Sequence, residues 1–343
     1  MIIKDNKVIS SKKAIVACDL FFSLRLYHLP DWLQESLKIS FPNVEIIPVN
    51  TPIHPQVEES ATVYWGNRIT SEIIVNMPNL EWIHFGSVGV NRVNITELSK
   101  RKILITSSKG LVISSMVASA MAFMTNLARG IHLNQILRNQ NNMNRESFDN
   151  YFDQIHELSG ERCLIVGFGD VGKRLAQVCK ALEMNVSVIS RSVKKHYYVD
   201  DFYSLNEISD AASNADYIIN LLPLSSETEK VFTHSVFRIM KKSAFFINIG
   251  RGETVDEEAL ILALENKQIM GAGLDVFAHE PLTQNSPLWK MENVILSPHV
   301  AGLSKGYWDR QADLFIKNLT LYLEGDNASM HNIINMNPKG AFK

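Results

Sequence analysis

The chain has 343 residues, enough for two domains of about 150–200 residues each. Its composition is 46% hydrophobic, 20% charged and 9% aromatic, which excludes a disordered or collagen-like chain. A net charge of −2 offers no basic excess to hold nucleic acid or an anionic membrane. Three cysteines, Cys18, Cys163 and Cys179, are too few and too scattered for a disulfide framework or a Cys-rich zinc site, and no metal is expected. The opening residues show no secretory pattern. The most apolar stretch, Leu111 to Ala128, is interrupted by Ser114, Ser115, Ser119, Thr125 and Asn126 and reads as a buried helix rather than a membrane span. The expectation is a soluble, cytoplasmic protein with reduced thiols.

In chain order, short apolar runs alternate with helix-like segments. The first third offers strands at Ala14–Cys18, Val44–Val49, Ala61–Trp65, Leu80–Phe85 and Ile103–Thr106, with helices at Asp31–Ile39 and Thr70–Met77. A polar, Asn-rich stretch from Asn139 to Glu157 reads as a hinge, a linker or an arm. After Gly160 six more strands follow, at Arg162–Val166, Val186–Ser190, Tyr217–Leu221, Phe245–Ile249, Ala272–Val276 and Val294–Ser297. Ser204 with Glu207, and Thr254 with Glu257, have capping-box spacing at helix starts. A last helix, about Lys305 to Leu323, stops near Gly325. Strands separated by helical crossovers predict α/β domains built on doubly wound parallel sheets.

Gly167-Phe168-Gly169-Asp170-Val171-Gly172 follows a strand and opens a helix, the context in which a G-x-G-x-x-G binds a dinucleotide. Gly167 permits the tight turn, Gly169 lets a pyrophosphate approach the backbone, and Gly172 lets helix pack on strand. The next strand ends in Ser190-Arg191-Ser192, with Lys194 and Lys195 close behind. A carboxylate for the ribose 2′-OH is missing there, and a guanidinium pairs well with a 2′-phosphate, so NADP(H) is preferred and NAD is the lesser cofactor.

Three further segments complete a pattern. They are Asn248-Ile249-Gly250-Arg251-Gly252-Glu253-Thr254-Val255-Asp256, Gly273-Leu274-Asp275-Val276-Phe277-Ala278-His279-Glu280-Pro281-Leu282, and Ser297-Pro298-His299-Val300-Ala301-Gly302. With the glycine motif upstream, the chain resembles the D-isomer-specific 2-hydroxyacid dehydrogenase family, which includes glyoxylate/hydroxypyruvate reductases and phosphoglycerate dehydrogenases. The resemblance covers nearly the whole chain. It implies two Rossmann-like or flavodoxin-like domains with a cleft between them. Residues 1–110 plus 305–343 would form a discontinuous substrate domain, and 111–304 the dinucleotide-binding domain.

The resemblance assigns three catalytic roles. Arg251 would hold the carboxylate and carbonyl of a 2-oxo acid. His299 would give a proton in reduction and take one in oxidation. Glu280 would hydrogen-bond His299, orient its ring and favour its protonated form. The resemblance also places Leu222, Pro223, Thr228, Ile249, Gly250, Asp275 and His299 at the cofactor. The turn after the fourth strand, with Ser87, Val88 and Gly89, would offer amides to the substrate carboxylate beside Arg251 and His299. The family pattern commonly has Asp where Asn91 and Asn94 stand, and Glu where Ser119 stands; for Ser119 a helix contact and an interdomain link both remain open. Trp65, Trp82 and Trp308 are aromatic candidates for a pocket. Trp82 is read as core, and Trp308, nine residues beyond His299, is the best placed.

The expected activity is NADP(H)-dependent reduction of a small 2-oxo acid such as glyoxylate or hydroxypyruvate, by a homodimer. The alternatives are NAD-dependent 3-phosphoglycerate oxidation and a corepressor-like, dinucleotide-sensing binding protein. Formate dehydrogenase relatives share the fold, but the family comparison leads one to expect Gln where Glu280 stands.

Overall fold

The computed structural model describes residues 12–20, 28–50, 52–87, 98, 101–192 and 195–334. The chain divides into two compact units, Met1–Val112 joined by Ser304–Lys343, and Ile113–Leu303. The first begins with five strands: β1 Ala14–Cys18, β2 Val44–Pro48, β3 Val63–Gly66, β4 Trp82–Phe85 and β5 Leu104–Ser107. Their order is β2-β1-β3-β4-β5 and every pairing is parallel. Helices cover both faces of such a sheet, which is why β3 and β4 are buried at every position while the edge strand β2 is only partly covered. Among the described residues, its crossovers include α1 Asp31–Ser40, α2 Pro55–Ser60 and α3 Ser71–Asn76. Thr70 caps α3 by accepting from the Ile73 N–H at 3.3 Å.

At the carboxyl end of β1 the Asp19 side chain is 2% exposed. It accepts from Tyr64 Oη, from the Asn67 N–H at 2.9 Å and from the Arg68 N–H at 2.6 Å, and it pairs with Arg68 Nε at 3.8 Å. Burial, then the charge of Asp19, pushes the Tyr64 phenol well above its ordinary range. Nearby, burial pushes the His84 imidazole down to about 3, so the ring stays neutral, with Nδ1 2.7 Å from Thr106 Oγ1.

The second unit holds seven strands, one more than the sequence suggests: β6 Arg162–Val166, β7 Asn185–Ile189, β8 Asp201–Tyr203, β9 Tyr217–Asn220, β10 Phe245–Asn248, β11 Gly271–Leu274 and β12 Val294–Leu296. The order is β12-β11-β10-β9-β6-β7-β8, all parallel. Chain direction across the sheet reverses at β6, which lies between β7 and β9, and ligands bind such sheets at the carboxyl ends beside that switch. The extra strand, β8, is three half-exposed residues on the edge and carries no apolar run.

The helices of this unit are α4 Ile113–Ala128, α5 Ile131–Asn139, α6 Arg145–Asp149, α7 Asp170–Ala181, α8 Ile208–Ser213, α9 His234–Ile239 and α10 Glu257–Glu265. The Asn-rich stretch lies inside this unit and carries α6 and a single 3-10 turn, Phe152–Gln154. Glu207 takes both the backbone and the hydroxyl hydrogen of Ser204, at 2.7 and 2.6 Å. The expected cap at Thr254 is corrected: Asp256 caps α10 by accepting from the Ala259 N–H at 3.3 Å. Two acceptors stand two residues apart there, and the Thr254 hydroxyl is drawn inward instead, accepting from Asn220 Nδ2 at 2.7 Å.

The chain then returns to the first unit with α11, Tyr307–Glu324, closed by Gly325 at φ +80°. Phe315 stacks on Trp65 at 3.7 Å and 7°, and lies 5.5 Å from Trp82. Trp65 and Trp82 are wholly buried and therefore core; Trp308, partly buried, packs against the same cluster. Among the described residues, no helix is long and apolar enough to cross a membrane.

Candidate active site

The glycine motif leaves β6 and enters α7. Gly167 sits at φ +105°, in the left-handed region that favours glycine. Gly169 precedes the helix, and a Cβ built on it meets nothing within 4 Å, so the space over the motif is open. The first turn, Asp170 to Gly172, has no intrahelical carbonyls for its N–H groups, and the helix dipole puts its positive end there. An open volume above a turn of amides suits a pyrophosphate, so the residues fit a dinucleotide. Phe168 is 7% exposed and turned into the core, and Val171 is partly buried against it.

Ser190 is buried at the end of β7, its N–H bonded to the Tyr203 carbonyl at 3.0 Å. Arg191 and Ser192 are exposed, and no described carboxylate pairs with Arg191. After β9, Leu222 is buried with its N–H on Asn220 Oδ1 at 3.1 Å. The Thr228 hydroxyl donates to the Pro223 carbonyl at 2.6 Å and accepts from the Ser225 N–H at 2.8 Å. That hydroxyl therefore closes the turn on which it sits.

Sequence reasoning missed what holds the next loop. Asn220 and Asn248 end the neighbouring strands β9 and β10, both buried, with Asn220 Nδ2 on Asn248 Oδ1 at 3.0 Å. Asn248 Oδ1 also takes the Gly250 N–H at 3.1 Å, and its Nδ2 reaches the Arg251 carbonyl at 3.3 Å. The Thr254 hydroxyl donates to the same carbonyl at 2.6 Å. Ile249 is buried, and the backbone of Arg251 is thereby clamped on both sides while its side chain stays exposed, with Nη1 on the Gly250 carbonyl at 2.7 Å. A polar residue closing an apolar strand was the only signal in the sequence for these asparagines.

Asp275, after β11, is 1% exposed. It accepts from Ser297 Oγ and from the N–H groups of Val300 and Ala301, both at 2.9 Å. Its own carbonyl takes the His299 N–H at 2.8 Å. Four bonds thus fix the turn after β12, in which His299 adopts φ +54°. From the other side α4 reaches the same turn: Ser115 Oγ donates to the Gly302 carbonyl at 2.8 Å and Ser119 Oγ to the Ala301 carbonyl at 3.2 Å. Ser119 is accordingly a helix contact within this unit.

The His299 ring is 48% exposed, with Nδ1 2.7 Å from Glu280 Oε2. Glu280 Oε1 is held by the Phe277 N–H at 3.2 Å. With Nδ1 committed to a carboxylate, Nε2 is the nitrogen left to exchange a proton with a substrate. Arg251, Asp275 and His299 follow β10, β11 and β12, three adjacent strands, all at carboxyl ends. The arrangement offers a cation, a proton donor and a phosphate cradle at the carboxyl ends of the strands of one sheet. Ser87 belongs to the first unit, where its carbonyl takes the Ser108 N–H at 3.1 Å. Val88, Gly89, Asn91, Asn94 and Lys194 lie outside the described residues.

Residues 121–301 match the family model described as D-isomer specific 2-hydroxyacid dehydrogenase, NAD binding domain. A probable 2-ketogluconate reductase of Dictyostelium discoideum is 34% identical over 263 residues, 76% of this chain and 77% of that protein. Glyoxylate/hydroxypyruvate reductase B of Salmonella paratyphi A is 33% identical over 291 residues, covering 81% and 87%. Among solved structures, the TT0316 protein of Thermus thermophilus superposes with a TM-score of 0.78 at 25% identity, over 94% of this chain and 100% of that one. A Xanthobacter autotrophicus Py2 member solved with NADPH and MES gives 0.78 at 22%, covering 94% and 98%, and shows the shared fold. The chain belongs to the D-isomer specific 2-hydroxyacid dehydrogenase family, and is an oxidoreductase that works with a nicotinamide dinucleotide.

Proposed function

We propose that the chain reduces a small 2-oxo acid, glyoxylate or hydroxypyruvate, with NADPH preferred over NADH. The observation that carries the reading is the 2.7 Å bond from His299 Nδ1 to Glu280 Oε2, on a turn that Asp275 holds from beneath. The names of the relatives, glyoxylate/hydroxypyruvate reductase and 2-ketogluconate reductase, support a 2-oxo acid as substrate.

When bound, the reduced nicotinamide supplies the hydride. The chain's own residues do the rest. Arg251 binds the substrate carboxylate and draws charge onto the carbonyl oxygen. Glu280 keeps the His299 ring in one orientation, so that Nε2–H gives a proton to the developing alkoxide. The clamped Arg251 backbone and the bonded turn at 297–301 fix these groups before substrate arrives, which lowers the cost of orienting them. In oxidation the same nitrogen takes the proton back.

The cofactor preference rests on Arg191, an exposed guanidinium with no described carboxylate partner at the end of β7, suited to a 2′-phosphate. For the assembly we infer a homodimer, supported by Ile131, Met143 and Phe152, exposed at 52%, 64% and 72% along one stretch of chain. For the compartment we infer the cytoplasm, supported by three buried free thiols. A panel of 2-oxo acids with NADPH and NADH, followed by nicotinamide absorbance, tests the activity. Turnover of glyoxylate or hydroxypyruvate, faster with NADPH, is expected. Turnover of 3-phosphoglycerate with NAD alone, or cofactor binding without turnover on any acid, overturns it. Light scattering tests the dimer.

A further inference from the structure

Five residues past Arg191, the His196 ring stands edge-on against Phe168, the residue between the first two glycines, at 5.1 Å and 84°. The His196 ring is anchored at one nitrogen. The Tyr198 N–H donates to Nδ1 at 3.4 Å, and the Val199 N–H bonds to the His196 carbonyl at 3.1 Å. Tyr198 is itself held from α7, where Gln177 Nε2 donates to its hydroxyl at 3.2 Å. A ring that accepts at Nδ1 carries its proton at Nε2 when neutral, so Nε2–H is a donor in either charge state. No described residue accepts from it, and no described acidic side chain bonds to Arg191, Lys195 or His196. The imidazole is half-buried, so it is held in place yet open to a ligand.

In this fold the 2′-substituent of the adenosine ribose is read at the end of the second strand, which here is Ser190 to Ser192. The contact with Phe168 sets His196 beside a residue of the glycine motif, five positions past Arg191 at that strand end. A phosphate monoester has three acceptor oxygens, more than one guanidinium fork can fill.

We propose that His196 is a second specificity residue, donating Nε2–H to the 2′-phosphate of NADP(H) alongside Arg191. The proposal rests on the NADP reading above and adds to it a residue that acts on the phosphate alone. Two fragments separate the effects: 2′,5′-ADP carries the extra phosphate, and 5′-AMP lacks it. Titration calorimetry of the full chain with each fragment reads binding without catalysis. The unaltered chain should bind 2′,5′-ADP at least tenfold more tightly than 5′-AMP, as expected of charge-assisted hydrogen bonds to the extra phosphate.

His196→Ala should weaken 2′,5′-ADP about fivefold to tenfold and leave 5′-AMP within about twofold, the loss of one hydrogen bond to a charged group. His196→Gln, which keeps an N–H donor, should recover part of that loss. If the unaltered chain does not favour 2′,5′-ADP, the NADP reading falls and this inference falls with it. If it does favour 2′,5′-ADP and His196→Ala keeps the full preference, the reading stands and the inference alone is wrong. Equal weakening of both fragments also overturns it, because that pattern marks an adenine contact or support for Phe168.

Discussion

Asp19 and Asp275 occupy the same station in the two units. Each follows the parallel strand next to one edge of its sheet, each is almost wholly buried, and each gathers the N–H groups of a neighbouring loop. They differ in what neutralises them. Asp19 is paired with a cation, Arg68, and its bonds tie down a loop that carries no candidate catalytic group. Asp275 is satisfied by two amides and a hydroxyl, with no cation beside it among the described residues. An acid neutralised by dipoles leaves nearby positive charge uncommitted. Arg251, with no carboxylate partner among the described residues, therefore remains available to a substrate anion, while His299 is paired with Glu280 through Nδ1 and keeps Nε2 for the substrate. One carboxylate is a structural anchor; the other is the same device turned to positioning.

Replacing His299 by Gln should lower kcat by about 10²–10⁴-fold, the usual worth of a general acid, while the NADPH dissociation constant moves less than about twofold. Unchanged turnover would remove His299 from the chemistry. Asp19→Ala should cost about 3–5 kcal/mol in urea denaturation, because Tyr64, two amides and Arg68 lose their buried acceptor together. Asp275→Asn should lower kcat by about tenfold to a hundredfold through loss of the 297–301 turn geometry, with a smaller stability loss than Asp19→Ala. If both Asp variants behave alike, the distinction between anchor and positioner disappears.

Glycines give a subtler test. Gly169→Ala points a methyl into open space, so it should fold normally and weaken NADPH binding about tenfold by occupying the cradle. Gly172→Ala drives a Cβ to 2.4 Å from the Gly167 carbonyl and should lower Tm before it touches affinity.

The smallest effect lies at the amino end of β6 in the same sheet. Burial, then the hydrogen bond and charge of Asp216, pushes the Glu161 carboxyl up to about 7. The folded state then holds a proton that the unfolded chain releases near 4.5. Stability from this group is present below 4.5 and is lost as pH rises to about 7. Glu161→Gln removes the loss and should raise Tm at pH 8 relative to pH 5 by about 1–3 °C, a partly exposed group being screened by solvent.

Much of the second unit was legible because a parallel sheet buried on both faces writes its strands as unbroken apolar runs. Tyr217–Asn220 and Phe245–Asn248 announce themselves this way. β8 does not, since an edge strand of three half-exposed residues has no such run. The glycine motif and the order of Arg251, Glu280 and His299 named the candidate chemistry. The sequence was silent on what holds it. Thr254 and Asp256 both had the chemistry of a cap, and only the inward pull of Asn220 decided between them. Asp275, and Ser115 with Ser119 on α4, meet one turn from two distant stretches of chain, and no local pattern encodes such a meeting.

The return of α11 to the first unit has a consequence for biosynthesis. When Val112 leaves the ribosome, the sheet holding Trp65 and Trp82 still lacks Phe315, which must wait for about 200 further residues, or about 10–40 s at ordinary elongation rates. Throughout that interval a face lined with tryptophan stays uncovered, while the seven-stranded unit, contiguous in the chain, can complete itself. The nascent protein should therefore lean on a chaperone through its amino-terminal part, and a truncation before α11 should aggregate from that sheet first.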